Sequence, residues 1–346
     1  MTAVPRDDAE LPALLGLLEA QFLKGDDADA RLARGLPSAL WSDALLAPLR
    51  DFLARPGKGL RAELVSWGYR FAGGTGQPPA ALGLVVECLH AGSLVVDDIE
   101  DGSLERRGAP ALHARFGLGR ALNAGNYLYF WPQLLLARAG LGDAARLSAH
   151  ERIALCLTRC HEGQALDLQL RVDQLPQRDV PQVALTISRL KTGGLLGLAM
   201  ALGALAAGAR PERVDVIAEL GRALGVGLQM LDDVSGIMNV ARRHKALEDL
   251  QHARVTWVWA SLAEELDAPA YEARLRELRA LADGGASGSA DTLLERLRFQ
   301  LGTLGVRGAR AHVQAALSAL GRGLGVEAAH DEVLEEFARW EQGYVQ

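Results

Sequence analysis

Apolar residues recur at three- and four-residue spacings along most of this chain, the pattern of amphipathic helices that pack by one face. The repeat predicts helices over 11–23, 45–53, 63–71, 128–138, 151–171, 184–209 and 214–238, and one that starts at Ala80 and runs to the aspartates at 97–101. Between them, GGTGQPP (73–79) reads as a loop and RVDQLPQRDVP (171–181) as a helix break. ARRHKALEDLQHAR (241–254) reads as a charged connection, and GGASGS (284–289) as a flexible joint between terminal helices. The uncharged run 193–209 has 17 residues, short of the roughly 20 that cross a bilayer, so a buried core helix is expected there and no transmembrane segment. No fixed-period repeat and no compositional break divides the sequence. The expectation is one all-α domain over 1–346, with its motif-bearing core at about 57–257.

Composition sharpens this. Aromatics are 5% and prolines number 13 in 346 residues, which suits long helices and disfavours an all-β reading. The net charge of −6 gives no global case for nucleic acid, so an anionic partner must be met locally. Cys88, Cys156 and Cys160 are too few for a disulfide framework and indicate a reducing compartment. With no basic start followed by an apolar run at the N-terminus, the expected location is cytoplasmic. Cys156, Cys160 and His161 fit no zinc spacing and read as packed helix residues.

The candidate chemistry lies in ECLHAGSLVVDDIEDGSLERRGAPALHARF (87–116). On a helix Asp97 and Asp101 share a face while Asp98 sits about 100° around the axis. Carboxylates this close are costly unless a cation joins them, and magnesium, which takes one or two carboxylates plus phosphate oxygens, is the natural choice. Arg106 and Arg107 supply a fork for those phosphates. A second pair, Asp232 and Asp233 in GLQMLDDVSGIMN (227–239), also ends an apolar run, but Gly236 stands four residues on. Lys58 and Arg61 stack at i and i+3. They either grip a second diphosphate or are simply solvated. A phosphate-loop reading of 57–59 fails for want of the flanking glycines and a Ser or Thr after Lys58.

Taken in order, these elements resemble the trans-isoprenyl diphosphate synthases, the polyprenyl synthetases that make farnesyl, geranylgeranyl and longer diphosphates. The resemblance covers roughly 57–257. It rests on DDIED followed by SLERRG, the Lys58/Arg61 pair, His90 seven residues before Asp97, EGQALDL (162–168), Lys191-Thr192, Gln229 three residues before Asp232, and then Lys245, Asp249 and Arg254. It implies an isoprenoid synthase fold, a bundle of long helices around a deep central cavity with the two aspartate motifs across its mouth. It also implies a homodimer and a magnesium-dependent head-to-tail condensation of isopentenyl diphosphate with an allylic diphosphate.

By position, the resemblance has Asp97, Asp101 and Asp232 hold three magnesium ions, with Asp98 and Asp233 completing the metal motifs. Arg106, Lys191 and Lys245 meet the allylic diphosphate, with Arg254 beside them. Lys58, Arg61, His90 and Arg107 bind isopentenyl diphosphate, and Thr192 and Gln229 sit near the reacting carbons. Gly59, Ala62, Asn126 and the non-basic C-terminus depart from the family pattern without apparent consequence. Gly236, in place of the last aspartate of the second motif, predicts a slower or more selective enzyme.

Gly92 and Ser93, one turn before Asp97, predict an open wall and hence a geranylgeranyl product, with farnesyl next. Tyr127, Tyr129, Phe130 and Trp131 either close the pocket or serve helix packing and dimer contact. Two other readings remain: a non-catalytic or regulatory subunit of the same fold, and a class I terpene cyclase or prenyltransferase with another acceptor.

Overall fold

The structure is a computed structural model that describes residues 10–25, 27–55, 59–282, 287–301, 304–324 and 327–345. Among the described residues it is helical throughout save for a two-stranded hairpin, Glu105–Arg106 against Ala109–Pro110. The chain gathers into two compact units, 1–150 with 202–208 and 151–201 with 209–346.

The first unit is built on the helix Ala80–Glu100, which follows Pro79 and buries most of its apolar length. By length and composition this helix is apolar enough to cross a membrane, but two thirds of that stretch, 67%, is buried inside the protein. The helix Leu118–Phe130 lies tightly along it. A Cβ at Gly92 would stand 2.9 Å from the Gly125 carbonyl oxygen and 3.0 Å from Leu128 Cβ. Gly92 is therefore a point of helix contact and not part of an open wall, which corrects the sequence expectation. The predicted helix 128–138 is cut at Trp131, because Pro132 lacks an N–H and its ring opposes the carbonyl four residues back. A short helix, Pro132–Leu136, restarts there.

The second unit is built on Pro211–Met238, opened by Pro211 in its first turn. Gly221 and Gly225, four apart on one face, let other backbone come close: Cβ atoms there would lie 2.6 Å from Leu196 O and 2.7 Å from Gly193 Cα. The predicted helix 184–209 is in three pieces, Val180–Ser188, a π-helical turn Arg189–Gly193, and Gly194–Ala206. Such widened turns frequently mark functional positions, and this one carries Lys191 and Thr192.

The stretch 241–254 is not a mere connection. The Asn239 side chain accepts from Ala241 N at 3.0 Å, a 3₁₀ turn follows, and the helix Arg243–Gln251 buries Ala246 and Leu250. Residues 284–286 of the predicted glycine-serine joint lie outside the described residues, while Ser287 opens the helix Ser287–Leu301. Cys156 and Cys160 stand one turn apart with Sγ atoms 4.0 Å from each other and unbonded, as packed helix residues.

Candidate functional site

In the first unit, Asp97, Asp98 and Asp101 collect at the C-terminal end of a 21-residue helix with no basic residue in its last turn. Carboxylates oppose the partial negative charge of that end. Only Asp98 is fully buried, 1% exposed. Arg106 grips its Oδ1 with both Nε, at 2.7 Å, and Nη2. Burial pushes the Asp98 carboxyl upward from its ordinary value, and the Arg106 contacts only partly offset that.

Arg106 is aimed by the hairpin. Its two-residue turn, Arg107-Gly108, has φ of +54° and +72°, the pattern of a type I′ turn. An arginine in left-handed backbone costs roughly 1–2 kcal/mol, a strain of the kind that persists at working sites. Arg55 fixes the hairpin from below, donating to Arg106 O at 2.9 Å and Pro110 O at 2.7 Å while paired with Asp51 at 2.5 Å.

Next to the hairpin lies a basic cluster. Arg107 stands over the Phe52 ring at 5.6 Å, and its Nη1 is buried with no hydrogen-bond acceptor among the described residues. Glu87, itself buried, accepts from Arg61 N at 3.3 Å. Burial, followed by the charges of Arg61, Arg107 and Arg106, holds the His90 imidazole well below its ordinary pKa, so the ring is neutral at pH 7. Lys58 lies outside the described residues.

In the second unit, Thr192, Gln229 and Asp233 form a directed chain. The Thr192 hydroxyl donates to Gln229 Oε1 at 2.7 Å, the Gln229 amide donates to Asp233 Oδ1 at 2.8 Å, and Trp257 N donates to Asp233 Oδ2 at 2.9 Å. Lys191 donates to Asp167 Oδ2 at 2.6 Å, and Arg254 reaches the same oxygen at 3.3 Å. Gly163 makes this possible, since a Cβ there would stand 3.0 Å from Lys191 Cγ. Asp232 is paired through Oδ1 with Arg242 at 2.5 Å and through Oδ2 with Lys245. Asp249, near Arg254 at 3.8 Å, is raised to about 7 by burial, which outweighs the opposing pull of Lys245.

These residues divide in their fitness for a metal ion. At the first motif they fit: Asp98 Oδ2 is buried with no donor among the described residues, and three carboxylates gather at the wrong end of a helix dipole. No three His, Cys, Asp or Glu among the described residues converge on one point, so magnesium held by Asp97 and Asp101 would draw the rest of its shell from water and phosphate. At the second motif each oxygen of Asp232 and Asp233 already has a protein cation or donor, and Gly236 adds none.

The polyprenyl synthetase profile matches residues 42–294, a span that contains every one of these side chains. The chain belongs to the polyprenyl synthetase family. A geranylgeranyl pyrophosphate synthase of Penicillium canescens is 34% identical over 193 residues, 56% of this chain and 55% of that protein. The chain thus spans about half the length of that curated relative. Among solved structures, a heptaprenyl diphosphate synthase from Staphylococcus aureus superposes with a TM-score of 0.73 at 19% identity, over 97% of this chain and 98% of that one. A geranylgeranyl pyrophosphate synthase from Corynebacterium glutamicum, solved with isoprenyl diphosphate and magnesium, gives 0.71 at 20% identity, over 98% and 97%. Those likenesses show the all-α isoprenoid synthase fold.

Four side chains of this chain escaped the sequence pattern. Asp167 lay inside the quoted EGQALDL but carried no assigned role. Arg55, Glu87 and Arg242 act through partners 55, 26 and 10 residues away. For Arg55 and Glu87 no local spacing reports such a pairing.

Proposed function

We propose that this chain condenses isopentenyl diphosphate with an allylic diphosphate, head to tail, in a magnesium-dependent reaction. The observation that carries the reading is the buried, unbonded Nη1 of Arg107 beside Arg61 and the neutral His90. A cyclase needs one diphosphate site. An elongating enzyme needs a second, and a desolvated guanidinium without an acceptor suits an anion.

In the reaction the allylic C–O bond breaks, the diphosphate departs with the electron pair, and the allylic carbon forms a C–C bond with the terminal alkene carbon of isopentenyl diphosphate. The positive charge passes to the methyl-bearing carbon of the former alkene, and a proton then leaves the CH2 on its far side for an oxygen of the departed diphosphate, which restores a C=C bond. Magnesium, when bound, neutralises charge growing on the departing oxygens. The chain's own cations do the same from fixed positions, Lys191 and Arg254 being braced on Asp167, and preorganised charge of this kind lowers the barrier without reorganisation. Thr192 and Gln229 are locked in orientation by Asp233, and as neutral dipoles they would steady the developing allylic cation without supplying a nucleophile able to displace the alkene. Arg61, Arg107 and His90 hold the acceptor's diphosphate, which supplies the proximity part of the rate.

A geranylgeranyl product is favoured by the relative's name, while Phe130, 74% exposed, closes no cavity within its own unit. The test is incubation with magnesium, isopentenyl diphosphate and primers of five, ten and fifteen carbons, with the dephosphorylated products weighed by mass spectrometry. A twenty-carbon alcohol is expected. No consumption of any pair would sink the proposal, and activity restored only by a partner protein would establish the regulatory-subunit reading instead.

A further inference from the structure

The second aspartate motif is built around a side-chain cation. Arg242 is held on three sides. Its Nη2 meets Asp232 Oδ1 at 2.5 Å, its Nη1 meets Ser235 Oγ at 2.5 Å, and its guanidinium stacks over the Tyr344 ring at 5.0 Å. Lys245 takes the other Asp232 oxygen. Asp232 therefore has a fixed cation on each of its oxygens. A magnesium ion entering the second motif would have to displace a guanidinium already anchored by a hydroxyl and an aromatic face.

Gly236 is part of this construction and not merely a missing acid. A Cβ at 236 would stand 3.2 Å from Ala246 N and 3.3 Å from Ala246 Cβ, a separation tighter than side chains ordinarily accept. The bare glycine lets the helix Arg243–Gln251 press onto Pro211–Met238 and carry Lys245 to Asp232. With both Asp232 oxygens on fixed cations and both Asp233 oxygens taken by Gln229 and Trp257 N, no carboxylate oxygen of this pair is left to a dication.

We propose that Arg242, supported by Lys245, takes the place of a metal ion at the second motif, so that this half of the machinery meets the substrate diphosphate through side-chain cations and Asp232 ligates no metal. Asp232 is then a positioning residue that holds the two cations. The inference rests on the diphosphate-handling reading above and changes the ion count that the family resemblance implies.

The experiment uses the full chain with inorganic diphosphate as probe. Bound Mn²⁺ is counted by electron paramagnetic resonance at saturating diphosphate, and diphosphate affinity is measured by titration calorimetry at saturating Mn²⁺. Circular dichroism melting confirms that each variant is folded. The expected result is the same Mn²⁺ count for the wild type and for Asp232→Asn. Arg242→Gln should weaken diphosphate binding by about 10-fold, the scale of one lost charge-assisted contact, and Arg242→Lys should recover part of it. A count one ion lower in Asp232→Asn, or unchanged affinity in Arg242→Gln, would overturn the inference while leaving the proposed function standing. If the wild type binds no Mn²⁺ with diphosphate, the proposed function fails and takes this inference with it.

Discussion

Arg107 combines backbone strain with a central place in the proposed function. Its left-handed backbone sits in a turn that asparagine followed by glycine would fill at lower cost. Arg107→Asn relieves about 1–2 kcal/mol of backbone strain and gives up a cation–π contact with Phe52 of about 0.5–1 kcal/mol. Its melting temperature should therefore match or slightly exceed the wild type's. The KM for isopentenyl diphosphate should rise roughly 10- to 100-fold, the equivalent of a charge-assisted hydrogen bond lost without water to replace it. A variant that loses stability and keeps its KM would contradict this assignment.

His90 gives a second residue-scale test. Because the folded ring has a depressed pKa, the unfolded chain takes up the proton first as pH falls through about 6.5, and stability drops with it. Above that pH the folded state bears no such penalty. Melting temperatures recorded from pH 7.5 to 5 should fall less steeply for His90→Asn than for the wild type. Sequence spacing and the family resemblance singled out His90, Arg61 and the aspartates as candidates. Neither could show that Asp98 is gripped by Arg106, because that pairing depends on a hairpin whose turn residue breaks the usual preference.

At the scale of elements, glycine decides how closely helices pack. Gly203 is the extreme case, since a Cβ there would fall 2.0 Å from the Val65 carbonyl oxygen and 2.6 Å from Tyr69 N. Overpacking typically costs about 1–3 kcal/mol. Against backbone with no flexible side chain to yield, Gly203→Ala should reach the upper end of that range, read as a fall in the urea midpoint. Gly102→Ala, with open space around it but a φ of +67°, separates the two ways a glycine matters and should lose only about 1 kcal/mol. The π-helical turn at Lys191 and the break at Trp131 were invisible to periodicity. One shifts the register by a residue and the other is imposed by a proline that a run of apolar residues conceals.

For the whole molecule, an unpartnered stripe points to a second copy of the chain. Leu118, Leu122, Phe130 and Leu134 recur at multiples of four residues and are exposed at 59%, 39%, 74% and 64%. An exposed apolar stripe of this kind marks an association surface. A homodimer in sedimentation equilibrium is the expected outcome, and Phe130→Glu should shift it toward monomer by at least about 10-fold in dissociation constant, as for a buried charge without a partner.

The order of motifs along the chain determined the family and the all-α class, and it named the candidate groups for diphosphate. Those properties follow from residue type and spacing on a helix, which are local. What the tertiary structure decided is which charges neutralise each other. The two aspartate pairs look alike in sequence, each ending an apolar run. Folding gives Asp232 of one pair two cations and a glycine-tight helix, and gives Asp98 of the other the Arg106 guanidinium and an oxygen with no donor among the described residues. Electrostatic environment depends on what packs nearby in space, with partners tens of residues away, and no local pattern encodes it.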